Sequence, residues 1–297
     1  MKKKILTSFL LLIVTLSFSQ KQHIATNNQQ LSANYSEKDI AVFESYKTQF
    51  QDKKELDFNK LVTQTALFFL GTPYVAHTLE LEPEILTVNL TQLDCTTFVE
   101  TVLALSRTVK EGNPTFEKFM AQLQAIRYRN GTIEDYSSRL HYTSEWIAQN
   151  QKRGILKNIT KENGGREIYF NLNFISSNPT RYKQLKNNSH LTKKIREAEI
   201  KTSALKNYYI PKNEIEQNAQ TEANGKGFKS GDILAFVTTT KGLDISHVAF
   251  IYKEQERLTF IHASSSEKKV VIEKLSLEEY TLSSKTNKGI IVARPLY

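Results

Sequence analysis

The chain holds a single cysteine, Cys95, among 297 residues. An internal disulfide is thereby excluded. No Cys-x-x-Cys or His-x-x-x-His spacing supplies a ready pair of metal ligands. Beyond the first twenty residues no run is apolar enough to provide the roughly 20 residues of a spanning helix. Internal repeats are absent, and after the first 35 residues so are low-complexity tracts. The lysines are scattered, with modest clusters such as Lys193-Lys194. A nucleic-acid surface wants basic residues concentrated and interleaved with aromatics, so that partner is not expected.

What is present is ordinary for a soluble globular protein: 39% hydrophobic and 24% charged residues. The length allows one large domain or two small ones. The start is a different object. Lys2, Lys3 and Lys4 precede an apolar run from Ile5 to Phe18, and Ser17 and Ser19 sit two apart. This is the pattern of a secretory signal peptide over residues 1–19. An uncleaved anchor is the alternative, and the run is short for it. The formal charge of +9 falls to +6 once the three lysines of that segment are set aside. The mature protein is expected to be exported, most simply to a periplasm, as a soluble chain. Residues 20–35, rich in Gln and Asn, read as a flexible leader.

Export changes the meaning of Cys95. A free thiol is a liability in an oxidising compartment, so chemistry explains its presence better than core filling does. The local sequence is Leu93-Asp94-Cys95-Thr96-Thr97-Phe98-Val99-Glu100. Phe98, Val99, Val102, Leu103 and Leu105 then recur at helical spacing. Asp94 is expected to cap or open the helix, with Cys95 at its start. The positive end of the helix dipole is expected to favour the thiolate there.

Around this element, residues 36–50 and 57–70 read as helices. The second is stopped by Gly71-Thr72-Pro73-Tyr74. Tyr74 is either a surface ring on that turn or a hydroxyl aimed into a cleft. Another helix is expected over 114–126, opened by Pro114. Residues 127–146 have neither helical nor strand period. Such a stretch is either a ligand wall of arginines and aromatics or a surface loop anchored by Trp146. Gly164-Gly165 suggests a hairpin turn, 189–202 a basic helix, 208–211 an edge strand closed by Pro211, and 213–227 a loop. The last seventy residues read as a mainly antiparallel sheet, with strands near 233–237, 246–252, 258–263, 270–272 and 290–293.

Two histidines fall on one hairpin of that sheet. With Glu254-Gln255 as a two-residue turn, His247 and His262 stand directly opposite; a longer turn makes them diagonal but keeps them on one face. The three residues suit a relay. Cys95 is the nucleophile, His247 the proton acceptor, and His262 accepts a hydrogen bond from the second nitrogen of His247. The Cys95 N–H, aided by the Tyr74 hydroxyl, is placed to hold an oxyanion. The same trio could alternatively bind zinc.

These motifs, with Gly231-Asp232 and Ser246-His247-Val248, resemble the NlpC-type papain-like cysteine peptidases of bacterial cell walls. Ser138-Arg139-Leu140-His141-Tyr142 through Trp146 is similar to the N-acetylmuramoyl-L-alanine amidase-like branch. The resemblance spans about 57–295. It implies an α+β papain-like fold, with the nucleophile helix on a mainly antiparallel sheet. The domain is then 36–297, with extra N-terminal helices and an insertion at about 110–225. It also implies hydrolysis of the amide between muramic acid and the stem L-alanine, with anhydro-muropeptides preferred. Catalysis falls to Cys95, His247 and His262. Tyr74, Asp94, Thr96 and Ser246 are implied to line the cleft, and Arg139 to meet sugar or stem carboxylates. No cofactor or resident metal is called for. A peptidase cutting within the stem peptide, and a muropeptide-binding protein without turnover, are the alternatives.

Overall fold

The computed structural model describes residues 33–219, 227–255 and 257–297. The expected signal peptide lies outside the described residues, as does the expected leader up to residue 32. The rest of that leader is ordered. Ala33–Asn34 is a strand, and the Tyr35 ring packs edge-on against Phe116 at 5.0 Å.

In chain order the elements begin with β1 (Ala33–Asn34), α1 (Glu37–Phe50), α2 (Phe58–Phe68), β2 (Leu86–Thr87), α3 (Cys95–Glu111) and α4 (Phe116–Arg127). The middle of the chain gives α5 (Thr143–Lys152), β3 (Leu156–Asn158), β4 (Arg166–Ile168), α6 (Phe174–Ser177), α7 (Ser189–Ser203), β5 (Asn207–Pro211) and α8 (Ile215–Ala219). The last part gives β6 (Ile233–Thr238), β7 (Ile245–Glu254), β8 (Arg257–Ser264), β9 (Lys269–Ile272), α9 (Leu277–Ser283) and β10 (Asn287–Pro295).

The helix starts follow their caps. Ser36 and Asp39 form a reciprocal capping box on α1, and the second Asp39 oxygen accepts the Leu90 N–H at 2.7 Å. Asp57 caps α2 and Asp94 caps α3. Helix α4 begins later than expected. Thr115, whose side chain accepts the Lys118 N–H, is the cap, so Pro114 lies outside the helix.

The main sheet runs β4-β5-β10-β6-β7-β8-β9, with β3 also beside β10, and every pairing in it is antiparallel. β1 and β2 pair in parallel apart from it. The fold is α+β. Alternation splits the core in two. Ile233, Ala235, Val248, Phe250, Ile261 and Ala263 face the layer of α2, α3 and α4. Leu234, Phe236, Ala249, Ile251 and Phe260 face α8 and α9.

Four expectations fail in the middle of the chain, the first being the loop read at 213–227, within which Ile215–Ala219 form α8. The glycines at 164 and 165 do not join a hairpin, because β3 pairs with β10 and β4 with β5. A short turn over Lys161–Asn163 separates the two strands instead. β5 is not an edge strand, being bonded to β4 on one side and β10 on the other. Pro211 is tolerated because β4 reaches only as far as Tyr209. Finally, 143–152 is a helix rather than aperiodic wall. Its buried face is Ser144, Glu145, Trp146, Ile147 and Asn150, too polar for an apolar period to show.

Candidate active site

Cys95 is the first residue of α3. The Asp94 carboxylate accepts the Thr97 N–H at 2.8 Å, and the Thr97 hydroxyl accepts the Asp94 N–H at 2.9 Å. The Cys95 N–H is one of the first-turn donors that a helix cannot satisfy internally. The preceding residues are stitched to the turn after α2. Leu93 N–H donates to Pro73 O at 3.0 Å and Val75 N–H to Leu93 O at 3.2 Å. Tyr74 N–H donates to Lys268 O at 2.8 Å, which fastens the turn to the sheet beside β9. Tyr74 is therefore fixed next to the cysteine. Burial raises its hydroxyl pKa, and the charges of Cys95 and Asp94 raise it further.

The Gly231-Asp232 motif is scaffold. Arg294 makes a two-pronged bond to the buried Asp232 carboxylate at 2.9 and 2.8 Å, and Asn59 of α2 donates to it at 2.9 Å. Gly231 has φ +88°, and a Cβ there would lie 2.4 Å from Asn59 O.

The hairpin of β7 and β8 has a two-residue turn, but one position later than supposed. Glu254 pairs with Arg257 and Phe250 with Ile261. In this register His262 falls opposite Ala249, diagonal to His247 and on its face. His247 Nε2 and His262 Nδ1 are 2.7 Å apart. The pair lies on the α9 side of the sheet. His247 stacks on Phe236 at 5.8 Å, and His262 meets Phe260 at 4.8 Å and Tyr280 at 6.2 Å between ring centres.

α3 packs on the other side, with Phe98 against Phe250 at 5.7 Å. The layers meet through a gap in the sheet. Ile251 directs its N–H and carbonyl toward β6, to Asp232 and Gly231. By alternation Val248 directs its N–H to the opposite side, where β8 would lie. The β7–β8 pairing ends at Phe250–Ile261, however. The freed Val248 N–H, with the N–H and hydroxyl of Thr96, lies close enough to the Cys95 sulfur to favour its anion. Cys95 thus lies at the open end of the β7–β8 pairing, near the residue that follows His247.

Electrostatics here departs from the expectation of a resting thiolate. Burial pushes the Cys95 thiol up to about 11, and the Asp94 charge adds to this, against the hydrogen bonds that favour the anion. Desolvation outweighs the helix dipole. Burial also lowers His247 to about 4, and burial with the proximity of His247 lowers His262 to about 3. At neutral pH the thiol is protonated and both imidazoles are neutral.

Thr96 is exposed at the mouth, its hydroxyl 4.0 Å from the sulfur. Ser246 is also exposed, beside the irregularity in the β6–β7 pairing, with its hydroxyl 3.4 Å from Phe236 O. Arg139 is engaged elsewhere. It is buried, paired with Glu80 at 3.2 Å and Glu84 at 3.6 Å, and lies over the Tyr136 ring. Sequence reasoning did not single out His141, Glu273 or Tyr280. His141 and Trp146 join Thr96, Glu100, Leu140 and Val248 around a cavity of about 30 Å³ next to the cysteine. Glu273 lies 3.5 Å from His262 Nε2. Strand parity carried a signal for it, since His262 pairs with Val271 and 273 shares the face of 271. Among the described residues no group of three or more His, Cys, Asp or Glu side chains is arranged to hold a metal ion. No described helix is long and apolar enough to cross a membrane.

The geometry can be set beside known proteins. A solved N-acetylmuramoyl-L-alanine amidase from Bacteroides uniformis is 35% identical, with a TM-score of 0.75 over 81% of this chain and 99% of that one. A Bacteroides fragilis protein provisionally named a xylanase is 36% identical, with a TM-score of 0.72 over 78% and 99%. A Legionella pneumophila protein is 25% identical, with a TM-score of 0.64 over 87% and 95%. No functionally curated protein matches the chain. A family model described as N-acetylmuramoyl-L-alanine amidase-like matches residues 64–290, and the chain belongs to this AmiA-like family.

Proposed function

We propose that the chain is a cysteine amidase of NlpC-type, papain-like design. It cuts the amide between N-acetylmuramic acid, preferably the anhydro form, and the stem L-alanine of muropeptides. The observation that carries this reading is the open end of the β7–β8 pairing, which brings a helix-start thiol to the strands bearing the imidazole pair.

The chemistry follows from the resting state. The neutral His247 takes the thiol proton on Nδ1, the nitrogen not engaged with His262. The sulfur adds to the carbonyl carbon, and the oxyanion is held by the Cys95 N–H with the Tyr74 hydroxyl near it. Collapse breaks the C–N bond, and the proton passes from His247 to the departing amine of L-alanine. A thioester remains on Cys95. Water, deprotonated by His247, then attacks it and releases the lactyl carboxylate with the free thiol. The small cavity behind Thr96 and Val248 suits a residue as small as alanine. Tyr74, Asp94, Thr96 and Ser246 are read as cleft residues, and Arg139 meets a substrate carboxylate only by exchanging Glu80 or Glu84. Glycosidase chemistry, the activity in the Bacteroides fragilis name, needs two free carboxyl groups astride the bond. Asp94, the carboxylate next to Cys95, is already engaged in its cap. The expected signal peptide would place the reaction in the periplasm.

The test is mass spectrometry of products from defined muropeptides, with and without the anhydro sugar. Free sugar with an intact stem peptide is the expected outcome. Cleavage between stem residues would make the chain a stem endopeptidase instead. Cys95→Ala should lower the rate at least about 10³-fold; full activity in that variant, or loss to a chelator but not to alkylation, would remove the thiol from the mechanism.

A further inference from the structure

The histidine pair leaves one question open. Each neutral imidazole carries one proton, and the 2.7 Å contact between His247 Nε2 and His262 Nδ1 holds one of them. If that proton belongs to His247, its Nδ1 is bare and can accept the thiol proton. If it belongs to His262, then His247 carries its proton on Nδ1 and cannot act as base. The partner of the far nitrogen of His262 biases the choice between these states.

That nitrogen faces one carboxylate. His262 Nε2 is buried without a full hydrogen bond, and Glu273 Oε2 stands 3.5 Å from it. Glu273 is clamped in place. Its N–H donates to Phe260 O at 2.9 Å, and its carbonyl accepts the Thr259 hydroxyl at 2.8 Å. Its Oε1 accepts the N–H groups of Lys274 and Leu275 at 2.7 and 3.1 Å. Oε2 is the oxygen left over, and it points at the ring.

We propose that Glu273 is a positioning residue that sets the proton direction of the whole relay. As an acceptor it keeps the His262 proton on Nε2, which keeps His262 Nδ1 a lone pair and His247 Nδ1 free. The contact shortens when His247 takes the thiol proton, because the histidine pair is then a cation beside a carboxylate. The titratable groups facing His262 are His247 from β7, Glu273 after β9 and Tyr280 from α9, with Cys95 of α3 close enough to raise the Tyr280 pKa. Among these Glu273 is the only one that accepts without donating. The inference rests on the amidase reading for its meaning in catalysis, but not for its test.

Two measurements need no substrate. Nitrogen-15 NMR of the histidines in the intact chain should show both His247 and His262 protonated on Nε2. Cys95 alkylation by iodoacetamide should follow a pH profile that moves upward in Glu273→Gln and Glu273→Ala, since the imidazolium beside the thiolate loses its counter-charge. In Glu273→Gln, an amide N–H offered to His262 Nε2 moves the proton to Nδ1, so His247 changes tautomer too. If the muropeptide reaction holds, kcat falls about 10- to 100-fold with KM little changed, a smaller loss than the wrong-tautomer penalty of a buried triad carboxylate because the contact is long. A wild-type spectrum with His262 protonated on Nδ1 overturns the proposal, even if no variant folds. So does a folded Glu273→Gln with unchanged tautomers and alkylation profile. A wild type that hydrolyses no muropeptide, yet shows the tautomers and the shifted profile, refutes the amidase reading and supports this one.

Discussion

The histidine pair of β7 and β8 and the Glu199 carboxylate of α7 are buried in opposite ways. The histidine pair leaves one ring nitrogen, His262 Nε2, without a saturating partner. Glu199 is saturated. It accepts from the Tyr142 hydroxyl at 2.8 Å and from the N–H groups of Ile175 and Ser176 at 3.1 and 3.0 Å, and from the Ser176 hydroxyl. Asp244, likewise enclosed, accepts the Ser144 N–H at 2.7 Å and so ties α5 to the start of β7. A saturated carboxylate holds two elements together, whereas an unsaturated ring keeps capacity for a proton.

Glu199→Ala is the hardest test of this contrast. It strands a hydroxyl pair and two N–H groups in the interior, at about 1–3 kcal/mol each before relaxation. Thermal unfolding should show at least about 3 kcal/mol lost, while the Cys95 alkylation profile of the folded fraction stays put. A profile that moved with stability would dissolve the distinction between the two regions.

The next effect is graded and belongs to the ribbon side. His141, His247 and His262 are held neutral in the folded chain, at about 3, about 4 and about 3, by burial first, with charge from Arg139 adding at His141. The unfolded chain protonates them near 6.5. Folded values lie below unfolded ones, so their contribution is full above about pH 6.5 and is lost as pH falls toward about 4. Melting temperature should decline across that window, and His247→Gln should flatten the decline. On the mechanism proposed above, activity should persist well below pH 6.5, since burial keeps His247 neutral there.

The smallest effect concerns a helix start far from either network. Thr115→Ala removes the cap of α4 and should cost about 1 kcal/mol with no change in alkylation rate. Pro114→Ala should cost less, because that residue precedes the helix.

What the sequence disclosed follows the same division. Asp94 and Cys95 could be placed because a cap and an apolar helix face are local patterns. The shared face of His247 and His262 could be placed because side chains alternate, even though the turn sits one residue later than supposed. α5 escaped notice because its buried face is polar, satisfied by Asp244 and Arg129 from elsewhere in the chain. The partners of β3 and β5 escaped because pairing with β10 joins residues more than seventy positions apart, and that of β4 because Arg166 meets the distant Tyr209. The elevated thiol was invisible for a related reason: desolvation depends on how neighbouring layers close over the sulfur, which no local motif records.

The parting of β7 from β8 has a consequence for any effort to make this protein sturdier. Beyond Phe250 and Ile261, Val248 and Ala263 would be the next pair to exchange backbone hydrogen bonds, and the chain leaves that rung of the ladder unmade. On the cysteine mechanism proposed above, a redesign that zipped the ribbon one step further would gain order in the sheet and silence the enzyme without altering one reactive side chain, because the Val248 N–H would turn from the thiol to Ala263. Thermostability and turnover are here rivals for the same amide.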